Sequence, residues 1–411
     1  MIRMRDFSLK IKDNVSIKYN IKKLYMYFLL IPFLFPRGFM EYFTVYKLAV
    51  TAWIYFAVLA IIIVFLYMVL NEYRKFKNCV FWMLGLYMFF IIDTLILQRG
   101  INEGIQKLFV APVLCLLCAI FLKKNQYDFI DAIANLLIIN FLLNISIFSP
   151  FIAGKYFNLG NNLLFIGHVQ IASQLGILGI FVGYLIYRIN PIKKNKSIFL
   201  IVLSVLTMLL SKTSAAAIAL LVIFACICWI YFVRYPYLFM WDSKLYVILL
   251  FAMNGLFLMY LKMRKWDFVF LGKQITLNGR TTIWNKVFEL MQSHELFGYG
   301  AYGTRIKVYW NAWYGNSEGM TYAHGQIQQL LLDGGVVLLV LFVLMLLSYV
   351  AGVKKVRDKK IKCVANICLL AFLLIMITES VTEYYYIFIF LSVLGYLPEI
   401  LEETVGVKEG V

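Results

Sequence analysis

Residues able to do chemistry gather late in this 411-residue chain. The stretch 322–335 reads YAHGQIQQLLLDGG and opens a long apolar run. An imidazole such as His324 can take up or release a proton near neutral pH. On a helix, His324 and Gln328 share a face at i, i+4. Asp333 lies one to two turns deeper, where a charge is costly in lipid. Either it faces protein, water or a partner, or the membrane span begins only after Gly334-Gly335.

Upstream lies NGRTTIWNKVFELMQSHELFGYGAYG, residues 278–303. Ile283, Val287 and Met291 recur at helical spacing, which predicts a short amphipathic helix over 281–293. Such a helix lies on the membrane surface or packs on the spans. Arg280 would stand at its N-terminus, where the helix dipole disfavours a cation. The placement makes sense if the guanidinium and the free N–H groups share an anion. His294, at the other end, reads as a structural residue. Gly298 to Gly303 spell G-x-G-x-x-G, but no strand precedes them, so a glycine–tyrosine turn is expected rather than a dinucleotide site.

Arg305 follows, with Trp310 and Trp313 close behind. Two readings of these tryptophans stand side by side: an interfacial aromatic belt, or platforms for the apolar faces of sugar rings. Lys212, in LLSKTSAAAIALL, occupies a short turn between two apolar runs and either snorkels to the surface or reaches a phosphate. Glu379 and Glu383, in TESVTEYYY, are expected as an i, i+4 pair at the end of a span, accepting from sugar hydroxyls or simply solvated. Asp93, Gln98 and Arg99 are similar in kind. There is no D-x-D, no H-E-x-x-H, no Walker A and no nucleophile elbow. With three histidines in the whole chain, no metal site is expected.

The elements that hold these residues follow from composition. Apolar residues make up 63% of the chain and charged residues 15%, which points to an all-α polytopic membrane protein. Apolar runs suggest about twelve spans, near 24–40, 48–70, 79–98, 104–122, 129–149, 169–189, 197–211, 213–233, 245–261, 329–351, 363–382 and 384–401. The net charge of +18 is not gathered into one patch, which argues against nucleic acid. Most of the basic residues lie in the tail 1–23 and in alternate short loops, so both termini are expected in the cytoplasm of a plasma-membrane protein. On that count residues 262–325 form one large extracytoplasmic loop within a single membrane domain, 1–411. All seven cysteines lie in or beside apolar runs, which argues against a disulfide framework; Cys115-x-x-Cys118 reads as helix packing.

This pattern resembles the O-antigen polymerase and O-antigen ligase superfamily, in particular the Wzy-type polymerases of capsules and exopolysaccharides. The matching residues are Gly279-Arg280, Ile283-Trp284, Phe297-Gly298-Tyr299-Gly300, Ala323-His324, Leu330 and Gly334-Gly335. Two positions depart from the family pattern. Lys212 stands in Ser211-Lys212-Thr213 where an arginine is usual, keeping the charge but not the two-pronged geometry. Gly325 follows the histidine where asparagine is common.

The resemblance implies transfer of glycan between oligosaccharide units carried on undecaprenyl diphosphate, without cofactor or metal, and leaves room for a chain-length regulator as partner. It implies Arg280 as the main diphosphate ligand, Arg305 and Lys212 as helpers, and His324 as the base or orienting group. A ligase that delivers glycan to another acceptor remains open. So does a lipid-linked oligosaccharide flippase, although the ionisable residues cluster at span ends rather than at mid-span.

Overall fold

The computed structural model describes residues 23–34, 36–41, 43–72, 76–98, 108–146, 163–233, 239–265, 269–270, 273–274, 280–301 and 323–408. Arg305, Trp310, Trp313 and Arg99 lie outside the described residues, as does the tail 1–22. The protein is an all-α polytopic membrane protein.

In chain order the helices are α1 (Lys23–Leu34), α2 (Thr44–Glu72), α3 (Asn78–Gln98), α4 (Val110–Lys124), α5 (Gln126–Ser146), α6 (Ile171–Ile189) and α7 (Lys194–Leu210). They continue with α8 (Ser214–Val233), α9 (Ser243–Met263), α10 (Arg280–Met291), α11 (Gln326–Lys354), α12 (Lys359–Thr378), α13 (Tyr386–Gly395) and α14 (Leu397–Lys408). Two antiparallel hairpins interrupt them: β1 (Leu163–Leu164) pairs with β2 (Gly167–His168), and β3 (Val269–Phe270) with β4 (Lys273–Gln274).

Among the described residues, eight helices of 19–29 residues are long and apolar enough to cross a membrane: α2, α3, α5, α6, α8, α9, α11 and α12. The other expected spans fall on shorter helices. Their surroundings explain why. Every residue of α13 is buried, and α4 is buried along most of its length. A helix apolar all round and enclosed by protein need not match the roughly 30 Å of a bilayer core. The expected span 384–401 is split at Tyr396, beside Pro398, which lacks the N–H needed to continue α13. By contrast α2, α8 and α9 expose large apolar side chains such as Leu70, Phe224 and Met253, the surface a lipid-facing helix presents.

The expected amphipathic helix is α10, and it packs on the spans. Ile283, Val287 and Met291 meet Tyr299, Ala323 and Leu332. Trp284, fully buried, meets Leu258 and Leu261 of α9 and Ile327 of α11.

α11 is two helices joined at a break. Gly334 (φ −142°, ψ 18°) and Gly335 (φ 64°, ψ −161°) are non-helical. A break of this kind frees backbone groups that lipid cannot satisfy. The LFGYG turn satisfies them: Tyr299 N–H donates to Leu332 O (2.9 Å), Gly300 N–H to Asp333 O (2.7 Å) and Val336 N–H to Glu295 O (2.9 Å). The contact is too close for side chains. A Cβ on Gly335 would stand 2.3 Å from Leu296 O, and one on Gly298 2.7 Å from Leu332 O. The literal G-x-G-x-x-G therefore includes a backbone clamp on a broken helix. Asp333 ends the first half-helix, buried, and accepts from Gln329 Nε2 at 2.7 Å.

Candidate active site

Arg280 is the first residue of α10, as expected, and the anion beside it belongs to the protein. Its Nη2 donates to Glu379 Oε1 at 2.6 Å, with the two side chains 15% and 8% exposed. α12 ends at Thr378, and Glu379 follows in extended backbone (φ −137°, ψ 144°) before a 3₁₀ turn, Val381–Tyr384. The expected i, i+4 pairing of Glu379 with Glu383 is thus corrected: the helix stops before both, so Glu379 turns inward while Glu383 stays half-buried on the turn. The second oxygen of Glu379 accepts from Gln170 Nε2. Burial pushes the Glu379 carboxyl up to about 7, against the pull of Arg280.

His324 lies in the turn before α11 with φ 49°, a left-handed conformation rare for a side chain of its size. Such a residue costs about 1–3 kcal/mol and persists where its surroundings fix it. They do so from several sides. Trp284 Nε1 donates to Ala323 O (3.1 Å), Ala323 N–H donates to Gln329 Oε1 (2.8 Å), and Ser380 Oγ donates to Gly325 O (3.4 Å). Gln326 and Thr382 bond each other side chain to side chain and through the Thr382 N–H. Burial, then the nearby charge of Arg280, then His168, hold the His324 imidazole down at about 4, so it is neutral at pH 7.

Sequence reasoning missed the ring of polar groups behind this pair. His168 stacks on Tyr384 (centroids 6.1 Å apart, planes at 12°), and Tyr384 Oη donates to Gln170 Oε1 at 3.4 Å. A signal was available. His168-Val169-Gln170-Ile171 opens α6 much as His324-Gly325-Gln326-Ile327 opens α11, the same H-x-Q-I spelling before two apolar runs.

The remaining candidates divide. Gln328 is fully buried in the first turn of α11, and its amide has no hydrogen-bond partner among the described residues. Lys212 (φ 52°) is exposed on the turn between α7 and α8 and lines a small cavity with Met208, Leu209 and Thr213. No hydrogen bond or ion pair joins it to Arg280, Glu379 or His324 among the described residues. His294 bonds Ser293 Oγ through Nδ1 at 2.9 Å, packs on Tyr299 and stays exposed, as a structural residue would. Beside the cluster, an apolar groove of about 630 Å³ runs between α9 and α11, lined by Leu258, Met259, Lys262, Phe288, Ile327 and Leu331 among others.

Residues 199–343 match the family model described as O-Antigen ligase. This match supports the resemblance to the O-antigen polymerase and ligase superfamily. The matched stretch runs from α7 into α11 and takes in Lys212, Arg280 and His324, while Glu379, His168 and Gln170 lie beyond its ends. That match supports a multi-pass membrane glycan transferase of ligase or polymerase type, a family whose substrates are lipid-linked oligosaccharides. No curated protein matches the chain.

Proposed function

We propose that the protein is a polysaccharide polymerase of the plasma membrane, joining oligosaccharide repeat units carried on undecaprenyl diphosphate at the outer face. The observation that carries this reading is the buried Arg280–Glu379 pair set beside a neutral His324, at the end of the bundle where α10 begins. The chemistry follows from those groups. An acceptor hydroxyl oxygen attacks the anomeric carbon of the donor glycan. The bond from that carbon to the diphosphate oxygen breaks, and its electron pair leaves with the lipid diphosphate. Arg280 stabilises the departing anion, helped by Lys212 and Arg305. His324 accepts the hydroxyl proton. One displacement inverts the anomeric centre.

The resting electrostatics suit that order of events. With Arg280 nearby, His324 is a weak base. A diphosphate on Arg280 cancels part of the charge that holds its pKa down, so donor binding makes the imidazole a better proton acceptor. The half-buried Glu383, the buried Gln328 and the tryptophans Trp310 and Trp313 are assigned to sugar contacts, and the α9–α11 groove to the prenyl chain. No metal or cofactor enters the scheme. With the basic tail and loops inside, both termini face the cytoplasm. A chain-length regulator is the one protein partner assigned.

The test is glycan length in a strain deleted for the gene and complemented with His324→Ala or Arg280→Ala. Each loss should cut transfer about 10²–10³-fold. Single repeat units on a gel, with protein abundance unchanged by blot, are the expected result. Long polymer in both variants, released from its lipid carrier as in wild type, overturns the site. The family description favours a second reading, a ligase. In that case the variants accumulate full-length polymer still on its lipid carrier.

A further inference from the structure

Arg37 lies in the turn between α1 and the 3₁₀ helix Gly38–Glu41, far in sequence from Arg280 and His324. Its backbone is locked to the β1–β2 turn: Arg37 N–H donates to Ile166 O (3.4 Å) and Gly38 N–H to Phe165 O (2.9 Å). A Cβ on Gly38 would stand 2.3 Å from Leu164 O, so the two strands of chain touch backbone to backbone. The guanidinium is then placed 4.6 Å over the Tyr385 ring, with Nη2 donating to Tyr385 Oη. Tyr385 is itself held at φ 45°, the left-handed region again.

A relay of contacts connects this corner to the candidate active site. Tyr385 is the neighbour of Tyr384, Tyr384 bonds Gln170, Gln170 bonds Glu379, and Glu379 pairs with Arg280. Two arginines thus stand at opposite ends of one polar network. They differ in one respect. Arg280 has a carboxylate. Arg37 has five N–H donors, and among the described residues its side chain bonds only the tyrosine hydroxyl. A half-buried guanidinium with no carboxylate paired to it among the described residues is a site for an anion from outside.

We propose that Arg37 anchors a second anion site, which holds the diphosphate of the acceptor lipid while Arg280 holds that of the donor. This rests on the polymerase reading, in which two lipid diphosphates must be held at once. The polar network between the arginines then separates two like-charged headgroups and positions the glycans that meet near His324.

The test is the stoichiometry of farnesyl diphosphate binding to the full-length protein in detergent, by calorimetry. Wild type is expected to bind two equivalents, and Arg37→Gln and Arg280→Gln one each, with affinity at the altered site down at least tenfold. Arg37→Lys keeps the charge and should keep two equivalents. Tyr385→Phe removes the partner but not the guanidinium, and should also keep two. Melting curves taken alongside separate unfolding from loss of a site. One equivalent in wild type, lost in Arg280→Gln and untouched in Arg37→Gln, overturns the second site and leaves the donor site standing. One equivalent lost only in Arg37→Gln overturns both assignments, as does a wild type that binds none. If Tyr385→Phe loses a site just as Arg37→Gln does, Arg37 is a support for the tyrosine and the proposal fails.

Discussion

At the scale of single residues, Glu379 and His324 respond to pH in opposite senses. The Glu379 carboxyl is raised to about 7, so its contribution to stability is full below about 4.5 and is lost as pH rises through 7. The His324 imidazole is lowered to about 4, so its contribution is full above about 6.5 and is lost as pH falls through 4. Between pH 5 and 8, therefore, Glu379 changes charge and His324 does not. Ionised Glu379 competes with a diphosphate for Arg280. Farnesyl diphosphate should bind the Arg280 site about tenfold more tightly at pH 6 than at pH 8, one pKa unit of coupling. The ligand titrates in the same range, so the readout is the difference from Glu379→Gln, which should lose that part of the pH dependence; equal profiles sink the idea. The positions of Arg280 and His324 were legible in the sequence, because one opens an amphipathic helix and the other precedes an apolar run. Glu379 was misjudged as one of a helical pair, since the residues that claim it, Arg280 and Gln170, lie 99 and 209 positions away.

At the scale of elements, the glycine break in α11 decides where the turn that carries His324 sits. The half-helix 326–333 carries Gln326, Gln328 and Gln329, and its anchoring to the LFGYG turn sets the height of His324 above the membrane span. Gly335→Ala puts a methyl 2.3 Å from the Leu296 carbonyl in a backbone region where side chains are strained. The variant should lose at least about 2 kcal/mol of stability in detergent, read from its thermal unfolding. An unchanged melting temperature would mean that the clamp is not what holds the break. Periodicity revealed α10 within two residues at each end, because its apolar face repeats cleanly at Ile283, Val287 and Met291. It did not reveal that α4 and α13 are short, because a core helix and a spanning helix share the same apolar composition.

At the scale of the whole molecule, charge is sorted between two ends. Lys77 pairs with Glu399 (2.6 Å), Arg188 with Asp358 (2.5 Å), and Lys193 and Lys196 with Asp131, all at the end opposite Arg280 and Glu379. On the proposed orientation, that end is cytoplasmic. A membrane-impermeant maleimide should then label Gln292→Cys, exposed beside α10, in intact cells, and Ile192→Cys, 95% exposed at the basic end, only after permeabilisation. Background is low, since six native cysteines are buried and Cys228 is half-buried. The reverse pattern would place the candidate site inside. The proposed sidedness rests on lysine and arginine counts alone, whereas the pairing of α6 with α12 through Gln170 and Glu379 could not be read from the sequence, for it depends on how distant helices neighbour one another. The broken helix also has a consequence for the order in which the molecule is made. Residues 295–300, which fill the hydrogen bonds freed at the break, precede residues 332–336 in the chain. On the proposed orientation, synthesis therefore delivers the clamp across the membrane before the helix that needs it emerges. The interrupted backbone enters lipid with its partners already waiting at the surface, and never has to sit in hydrocarbon with its polar groups bare.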